Sequence, residues 1–297
     1  MEYVNLTGMG VALITPFQTD GEVDYSALSR ILDYLLQNDA DYLVALGTTA
    51  ETPTLSLSEQ KEITRFVVEK VNKRVPVVLG ISGNSTRAVV ERLKTEDLEG
   101  VDAVLSVVPY YNKPSQEGIY RHFEAIVQAA PLPVVLYNVP GRTGTNMTAE
   151  TTLRLAHDFD NVIAIKEASG NMAQINTIIK NKPDRFQVIS GDDGNTFSMI
   201  TFGAAGVISV VGNALPKKFS RMVHLALSGN YADALKIHNS FGELCELLFT
   251  DGSPAGIKSA LNIMGYTENE LRLPLVPTRV STYEKIRSAL DKLRVES

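Results

Sequence analysis

Val162-Ile163-Ala164-Ile165 is a short, continuously apolar stretch rich in β-branched residues, and a lysine, Lys166, follows it directly. β-Branched side chains favour a strand. A strand that is apolar at every position, and not only at every second one, is typical of a parallel sheet that is covered on both faces. The stretch therefore predicts a buried parallel strand with an ammonium group at its carboxyl end.

Similar stretches recur along the chain, and their starts lie roughly 20 to 33 residues apart. Each interval has room for one helix and two short loops. The predicted strands are Gly10–Ile14, Tyr42–Leu46, Val75–Leu79, Ala103–Val107, Val134–Tyr137, Val162–Ile165, Phe186–Ile189 and Gly206–Val210. Between them, amphipathic periodicity predicts helices at Asp24–Leu36, from Ser58 onward, and at Thr86–Leu98, Gln116–Ala129, Ala149–Ala156, Asn171–Ile179 and Thr196–Phe202.

Eight strands alternating with helices predict an α/β fold, a (β/α)8 barrel. An open, doubly wound sheet stays possible, because counting elements does not show that a sheet closes. After the last strand the pattern is helical only, at Pro216–Leu227, Tyr231–Leu248, Pro254–Met264 and Thr282–Leu293. We therefore predict a barrel domain over residues 1–225 and a C-terminal helical extension over residues 226–297.

Composition excludes several classes of partner. The 297 residues include 28 basic and 34 acidic side chains, a net charge of −6, and no basic stripe suggests nucleic acid or an anionic membrane. No apolar stretch reaches the ~18 residues of a membrane span. The single cysteine, Cys245, permits no disulfide within the chain, and Met1-Glu2-Tyr3 does not resemble the start of a secretory signal. A cytoplasmic location is expected.

Polar residues at the carboxyl ends of the strands are the candidates for chemistry, because active sites of β/α barrels lie there. Burial of Lys166 among apolar neighbours would favour a neutral, nucleophilic amine. Alternatively, Lys166 extends to the barrel rim or pairs with Glu167. Tyr137 ends the fifth strand and could transfer protons to and from a developing alkoxide, or could simply cap the barrel.

Two loops carry further candidates. Thr48-Thr49 follows the second strand, and its hydroxyl and backbone N–H groups could bind a carboxylate. Arg142 lies in a turn-rich loop above the fifth strand, and a planar guanidinium suits bidentate carboxylate binding. Tyr110-Tyr111 follows the fourth strand, where paired tyrosines more often serve packing or an interface. Together these strand ends favour one site for a keto acid.

We expect no metal and no cofactor. The four histidines, His122, His157, His224 and His238, lack the spacing of metal ligands, and no nucleotide-binding motif is present. Gly191-Asp192-Asp193-Gly194 has two adjacent carboxylates, but these fit a turn as well as a metal loop. A metal-dependent mechanism is therefore disfavoured.

Four motifs occur in the order found in a known family: Gly47–Glu51, Pro109–Asn112, Tyr137–Gly144 and Ile165–Gly170. On these the chain resembles dihydrodipicolinate synthases of the Schiff-base pyruvate-aldolase superfamily, over nearly its whole length. The resemblance implies a TIM barrel that condenses pyruvate with L-aspartate 4-semialdehyde, the entry to diaminopimelate and lysine synthesis.

The resemblance also implies roles for single residues. Lys166 would form the imine with pyruvate, and Tyr137, Thr48 and Tyr111 would relay protons, with Tyr111 reaching in from a neighbouring subunit. A homodimer or homotetramer is therefore expected. The remaining residues would bind substrate: Thr49 the pyruvate carboxylate, Arg142 the semialdehyde carboxylate, with the Gly191 and Ile208 backbones lining the pyruvate pocket.

Other functions remain open. A sister aldolase, such as N-acetylneuraminate lyase or a keto-sugar-acid aldolase, would share Lys166 and Tyr137. Neuraminate lyases, however, usually lack the threonine pair and Arg142. A barrel that senses a small acid would bind pyruvate without a covalent adduct.

Two departures from the family pattern have consequences. Ala50 stands where glycine is usual and would cost about 1 kcal/mol if the position needs a positive φ. Pro53, Leu57 and Ala88 stand where lysine-sensitive members hold polar and acidic residues, although Asn84 and Tyr110 do fit that site. We therefore expect weak or absent inhibition by L-lysine.

Overall fold

The computed structural model describes residues 4–295 and shows a closed barrel of eight parallel strands in chain order. Met1-Glu2-Tyr3, used above in predicting a cytoplasmic location, lies outside the described residues. Pairing of the first strand with the last, for example Gly10 with Ile208, closes the sheet. The barrel prediction is confirmed, and the open sheet is wrong. The strands are β1 Gly8–Ala12, β2 Tyr42–Ala45, β3 Val77–Gly80, β4 Ala103–Val107, β5 Val134–Asn138, β6 Val162–Glu167, β7 Gln187–Ser190 and β8 Gly206–Ser209.

Helices surround the barrel, and their bounds mostly agree with the predicted ones within a few residues. From the first to the eighth they are α1 Tyr25–Gln37, α2 Leu57–Val71, α3 Thr86–Thr95, α4 Gln116–Ala129, the one-turn α5 Pro140–Thr143, α6 Ala149–Asp158, α7 Met172–Asn181 and α8 Thr196–Phe202. The helices that follow β8 are α9 Pro216–Leu227, α10 Tyr231–Ser240, α11 Gly242–Thr250, α12 Ala255–Ile263 and α13 Val280–Val295.

Local predictions fail at three places. The sequence places the start of α2 at Ser58, whereas the helix begins at Leu57 with Ser56 as its N-cap. A capping box with Glu59 fixes this start, since the Ser56 N–H donates to the Glu59 carboxylate at 2.7 Å. The loop that holds Arg142 is the helix α5. The predicted helix Tyr231–Leu248 is two helices, because the chain turns at Phe241, whose ring is fully buried 5.1 Å from that of Phe219.

Two apolar cores result from the alternation of side chains along the strands. Residues that point inward, such as Val135 on β5 and Ala164 on β6, fill the barrel together with Tyr42. Their outward neighbours, such as Leu136 and Ile165, pack under the helices in a larger core. Each buried aliphatic side chain contributes ~1.5–3 kcal/mol, so both cores hold the strand ends firmly in place.

The helical extension packs against the barrel and forms part of the surface at its carboxyl end. Helix α9 packs on β1 and β8, and α10 packs on α9. The boundary predicted at residue 225 falls in the last turn of α9, and the division into two domains stays a prediction. In the part of the chain that the structure describes, no helix is both long enough and apolar enough to cross a membrane.

Candidate active site

Lys166 and Tyr137 lie side by side at the carboxyl ends of β6 and β5, as paired residues of the two strands. Lys166 has the inward orientation of Ala164, and the Lys166 Nζ lies 4.5 Å from the centroid of the Tyr137 ring. Both residues are only 6% exposed. A lysine amine next to a phenol in a nearly dry barrel end is suited to nucleophilic attack with assisted proton transfer.

Gly191 lies against the side chain of Lys166, and the absence of a Cβ at position 191 leaves room for that side chain. Its N–H donates to the Glu167 carbonyl at 2.8 Å, which fixes it beside the end of β6. A Cβ at position 191 would lie 3.0 Å from the Lys166 Cε and 2.8 Å from the Ala168 Cβ. Ile208, at the end of β8, is 1% exposed and belongs to the same inner core as Tyr137.

Thr48 and Thr49 begin a 3-10 turn, Thr48–Ala50, directly after β2. The chain enters this turn through Leu46, whose φ is +52°, and the Leu46 carbonyl approaches Gly80 so closely that a Cβ there would overlap it. Glycine is therefore required at position 80. Thr49 is buried, whereas Thr48 is exposed to the cavity at the barrel mouth.

The departure at Ala50 has no steric consequence in this structure. Ala50 is buried in the 3-10 turn and does not adopt a positive φ, so the condition for the predicted cost is not met. The left-handed residue is the next one, Glu51, with φ +55°. The Ala50 carbonyl accepts a hydrogen bond from the Thr15 hydroxyl at 2.8 Å, which ties the turn to the loop after β1.

A cavity of about 360 Å³ lies beside Tyr137, with Thr48, Tyr110 and Arg142 also in its walls. Lys166, Thr49, Gly191 and Ile208 do not line it. Arg142 is held by the helical extension, since its Nη2 donates to the Ser253 carbonyl at 3.3 Å. A volume of this size suits a small acid. The cavity therefore brings a phenol, hydroxyls and a guanidinium together within reach of one small ligand.

Tyr111 does not enter the cavity of its own chain. It is 88% exposed, with φ +77°, and its N–H donates to the Thr143 carbonyl at 3.3 Å. A bulky residue that is held both strained and exposed often marks a functional position. Its predicted reach into a neighbouring subunit stays a prediction.

Glu167 faces outward from the barrel, and the alternative in which it pairs with Lys166 is wrong. Its carboxylate is fully buried and accepts hydrogen bonds from Asn138 at 3.2 Å, from the Ser169 N–H at 2.8 Å and from Gln174 at 3.0 Å. The roles of Asn138 and Gln174 are not predicted from the sequence. The sequence signal for Asn138 is a polar side chain at the end of the apolar strand β5. That for Gln174 is a polar side chain in the first turn of α7, the helix that follows β6.

The polar groups suited to metals are dispersed. Among residues 4–295, no three His, Cys, Asp or Glu side chains lie close enough together to hold a metal ion. His122 bonds to the Thr86 hydroxyl between α3 and α4, and burial lowers its pKa to about 4. Asp193, two residues after Gly191, accepts hydrogen bonds from the Val210 and Val211 N–H groups at 3.0 Å, and so supports the loop after β8.

Known proteins resemble the chain over its whole length. A 4-hydroxy-tetrahydrodipicolinate synthase of Parabacteroides distasonis is 66% identical over 296 residues, and one of Phocaeicola vulgatus is 65% identical, each match covering 100% of both chains. The crystal structure of the dihydrodipicolinate synthase of Thermotoga maritima is 39% identical, covers 98% of this chain and 99% of its own, and superposes with a TM-score of 0.95.

A solved monomeric variant of dihydrodipicolinate synthase is 40% identical, with a TM-score of 0.94 and 96% of each chain covered. A model of the Dihydrodipicolinate synthetase family matches residues 5–293. These matches carry the synthase name and not that of the sister lyases. The chain is therefore a member of the Dihydrodipicolinate synthetase family.

Proposed function

We propose that this protein condenses pyruvate with L-aspartate 4-semialdehyde to 4-hydroxy-tetrahydrodipicolinate through an imine on Lys166. The observation that carries the proposal is the buried Lys166 Nζ, 4.5 Å from the centre of the Tyr137 ring at one end of a closed barrel. The names of the relatives, at up to 66% identity over the full chain, support the same reaction.

The first half of the reaction activates pyruvate. The Lys166 amine attacks the ketone carbon, water leaves, and an iminium forms; loss of a methyl proton then gives the enamine. Tyr137 is next to the amine and is suited to deliver and accept the protons of these steps. The enamine carbon next attacks the aldehyde, and the amine of the semialdehyde displaces Lys166 as the product cyclises.

The turn after β2 and the helix α5 each carry a group suited to one substrate carboxylate. Thr49, with the N–H groups of its turn, would bind the carboxylate of pyruvate. Arg142, 3.3 Å from the Ser253 carbonyl, would bind that of the semialdehyde through its free guanidinium edge. Gly191 would admit pyruvate beside Lys166, because it has no side chain at that contact.

The proposal includes an assembly of at least two chains in the cytoplasm. Tyr111 supports the assembly: a tyrosine with an 88% exposed side chain and a left-handed backbone is suited to enter a partner's cavity. It would complete the proton relay with Thr48 and Tyr137 there.

Borohydride trapping tests the proposal. The protein is incubated with pyruvate, reduced, digested and mapped by mass spectrometry, with a pyruvyl adduct expected on Lys166 and absent in Lys166→Ala. Lys180→Ala, which removes an exposed lysine of α7, is the matched control and should keep the adduct. No adduct on the folded wild-type protein would contradict the imine mechanism.

Condensation itself is tested with the second substrate. Pyruvate is presented with L-aspartate 4-semialdehyde and, separately, with N-acetylmannosamine. We expect turnover of pyruvate only with the semialdehyde. Turnover of pyruvate with N-acetylmannosamine and not with the semialdehyde would assign the protein to the sister lyases.

A further inference from the structure

Glu51 and Lys258 form an ion pair that is entirely shielded from solvent. The two side chains are both 0% exposed, and the Lys258 Nζ contacts the Glu51 Oε1. Two charges are costly to bury, and a buried pair persists only where good geometry and further hydrogen bonds compensate for the lost hydration. Neither residue belongs to the reaction proposed above.

Glu51 is the residue that ends the turn of Thr48 and Thr49. Its own N–H donates to the Thr48 carbonyl at 3.1 Å, and its φ of +55° reverses the chain into a second 3-10 turn, Thr52–Thr54. A left-handed glutamate is unfavourable in isolation and has to be held by its surroundings. The side chain of Glu51 is therefore the anchor of the turn that presents both hydroxyls.

Lys258 belongs to helix α12 of the extension. Ser253, just before this helix, accepts the hydrogen bond from Arg142. Helix α12 and the residue Ser253 before it thus contact both segments that the proposed reaction uses: Ser253 contacts Arg142 in α5, and Lys258 contacts Glu51 after β2. Helix α12 is held closely on the preceding helix, because Gly256 lies against the Leu248 backbone.

Further contacts fix both charges. Lys258 also donates to the Glu270 carbonyl at 2.8 Å and lies 4.0 Å from the centre of the Phe17 ring. The second carboxylate oxygen of Glu51 accepts a hydrogen bond from the backbone N–H of Arg272 at 3.1 Å. The pair therefore joins the loop after β1, the loop after β2 and the extension, and small displacements of the helix would move the turn.

We propose that the Glu51–Lys258 pair is a positioning device by which the helical extension sets the Thr48–Thr49 turn for the pyruvate carboxylate. The inference rests on the proposed function and adds to it two positioning residues outside the reacting groups. It predicts that loss of the pair weakens the use of pyruvate more than that of the semialdehyde.

Steady-state kinetics on purified full-length variants test the inference. Glu51→Gln leaves Lys258 unpaired, and the double variant Glu51→Gln with Lys258→Met removes both charges at similar volume. In each we expect the KM for pyruvate to rise about tenfold, a change that corresponds to ~1.4 kcal/mol, while the KM for the semialdehyde stays within twofold. The initial rate of borohydride-trapped adduct at low pyruvate should fall by the same factor.

Leu290→Ala is the control for lost stability. Leu290 is a 1% exposed apolar residue of α13 in the larger core, so its truncation destabilises the extension without unpairing a charge. Its urea midpoint should fall, while its KM for pyruvate stays within twofold of the wild type.

Three results would refute the inference while leaving the proposed function intact: folded pair variants with the wild-type KM for pyruvate, an equal rise of that KM in Leu290→Ala, or failure of both pair variants to fold. The last result would assign the pair to folding alone. A wild-type protein that forms no adduct would refute the proposed function, and the inference with it.

Discussion

Removal of the Tyr137 hydroxyl distinguishes a role of this residue in proton transfer from a role in packing alone. The ring packs in the inner core beside the Lys166 Nζ, and Tyr137→Phe keeps that ring while removing the phenolic proton. General acid–base groups contribute typically 10²–10⁴-fold to rate. We expect kcat to fall at least 100-fold with an unchanged urea midpoint. A variant that keeps more than a tenth of the wild-type kcat would show that Tyr137 only caps the barrel.

Space beside Lys166 is set by one absent methyl group. In Gly191→Ala the added Cβ would lie 2.8 Å from the Ala168 Cβ and 3.0 Å from the Lys166 Cε, so Ala168, Lys166 or the new residue has to shift. We expect kcat/KM for pyruvate to fall about 10- to 100-fold, in line with the sensitivity of reacting groups to ångström-scale misplacement. Gly242→Ala, where the added Cβ meets nothing, is the control and should leave kcat/KM unchanged. Equal activity of the two variants would contradict the crowding argument.

Among the secondary-structure elements, β5, β6 and α7 are joined by the buried Glu167 carboxylate. In Glu167→Gln one acceptor oxygen becomes an N–H2 donor, which then faces the amide donors of Asn138 and Gln174. An unsatisfied buried polar group costs ~1–3 kcal/mol, and we expect a loss of this size in the free energy of unfolding by urea. Glu284→Gln, at an exposed position of α13, should be neutral. A neutral Glu167→Gln would mean that water satisfies the site.

The α3–α4 contact makes stability depend on pH. Burial lowers the pKa of His122 to about 4, below its ordinary value of 6.5. Between these values the unfolded chain binds a proton that the folded chain does not, so stability is fully present above pH 6.5 and is lost as pH falls toward 4. At pH 5 the loss is about 2 kcal/mol relative to pH 7.5.

Urea unfolding at the two pH values measures this loss. His122→Asn should remove about 2 kcal/mol of the pH difference, and His157→Asn, at an exposed position of α6, should leave the difference intact. An identical pH difference in wild type and His122→Asn would show that other groups cause the acid sensitivity.

At the scale of the whole molecule, the predicted insensitivity to L-lysine concerns exposed residues on the segments that follow β2 and β3. Pro53, Leu57 and Ala88 are all exposed. Pro53 lines the cavity together with Tyr110, whose carbonyl accepts a hydrogen bond from Asn84 at 3.3 Å. Their side chains offer no carboxylate to the ammonium groups of L-lysine, so binding would desolvate a cation with little compensation. We expect less than half-inhibition at 10 mM L-lysine, a roughly saturating dose for a millimolar site. Half-inhibition below 1 mM would refute this expectation.

Periodicity alone established the barrel's elements. Apolar stretches predict the strands, and polar residues mark the carboxyl ends of β5 and β6, because the side-chain alternation of a strand and the helical repeat are local properties of the chain. Lys166 and Tyr137 were found in this way, as candidates at the ends of their strands. A local pattern does not predict a helix end that a distant contact decides. At Phe241, for example, burial against Phe219 accompanies the division of one predicted helix into two.

Only the tertiary structure decided which polar residues meet. Closure of the barrel depends on pairing β1 with β8, residues almost 200 positions apart, and no local pattern records that distance. The burial of Glu51 with Lys258 depends in the same way on the docking of α12. In the sequence, both are ordinary charged residues of a kind usually exposed to solvent. Charge and chemical type are written in the chain, whereas hydration, and with it the role of a charge, is set by what the fold packs around it.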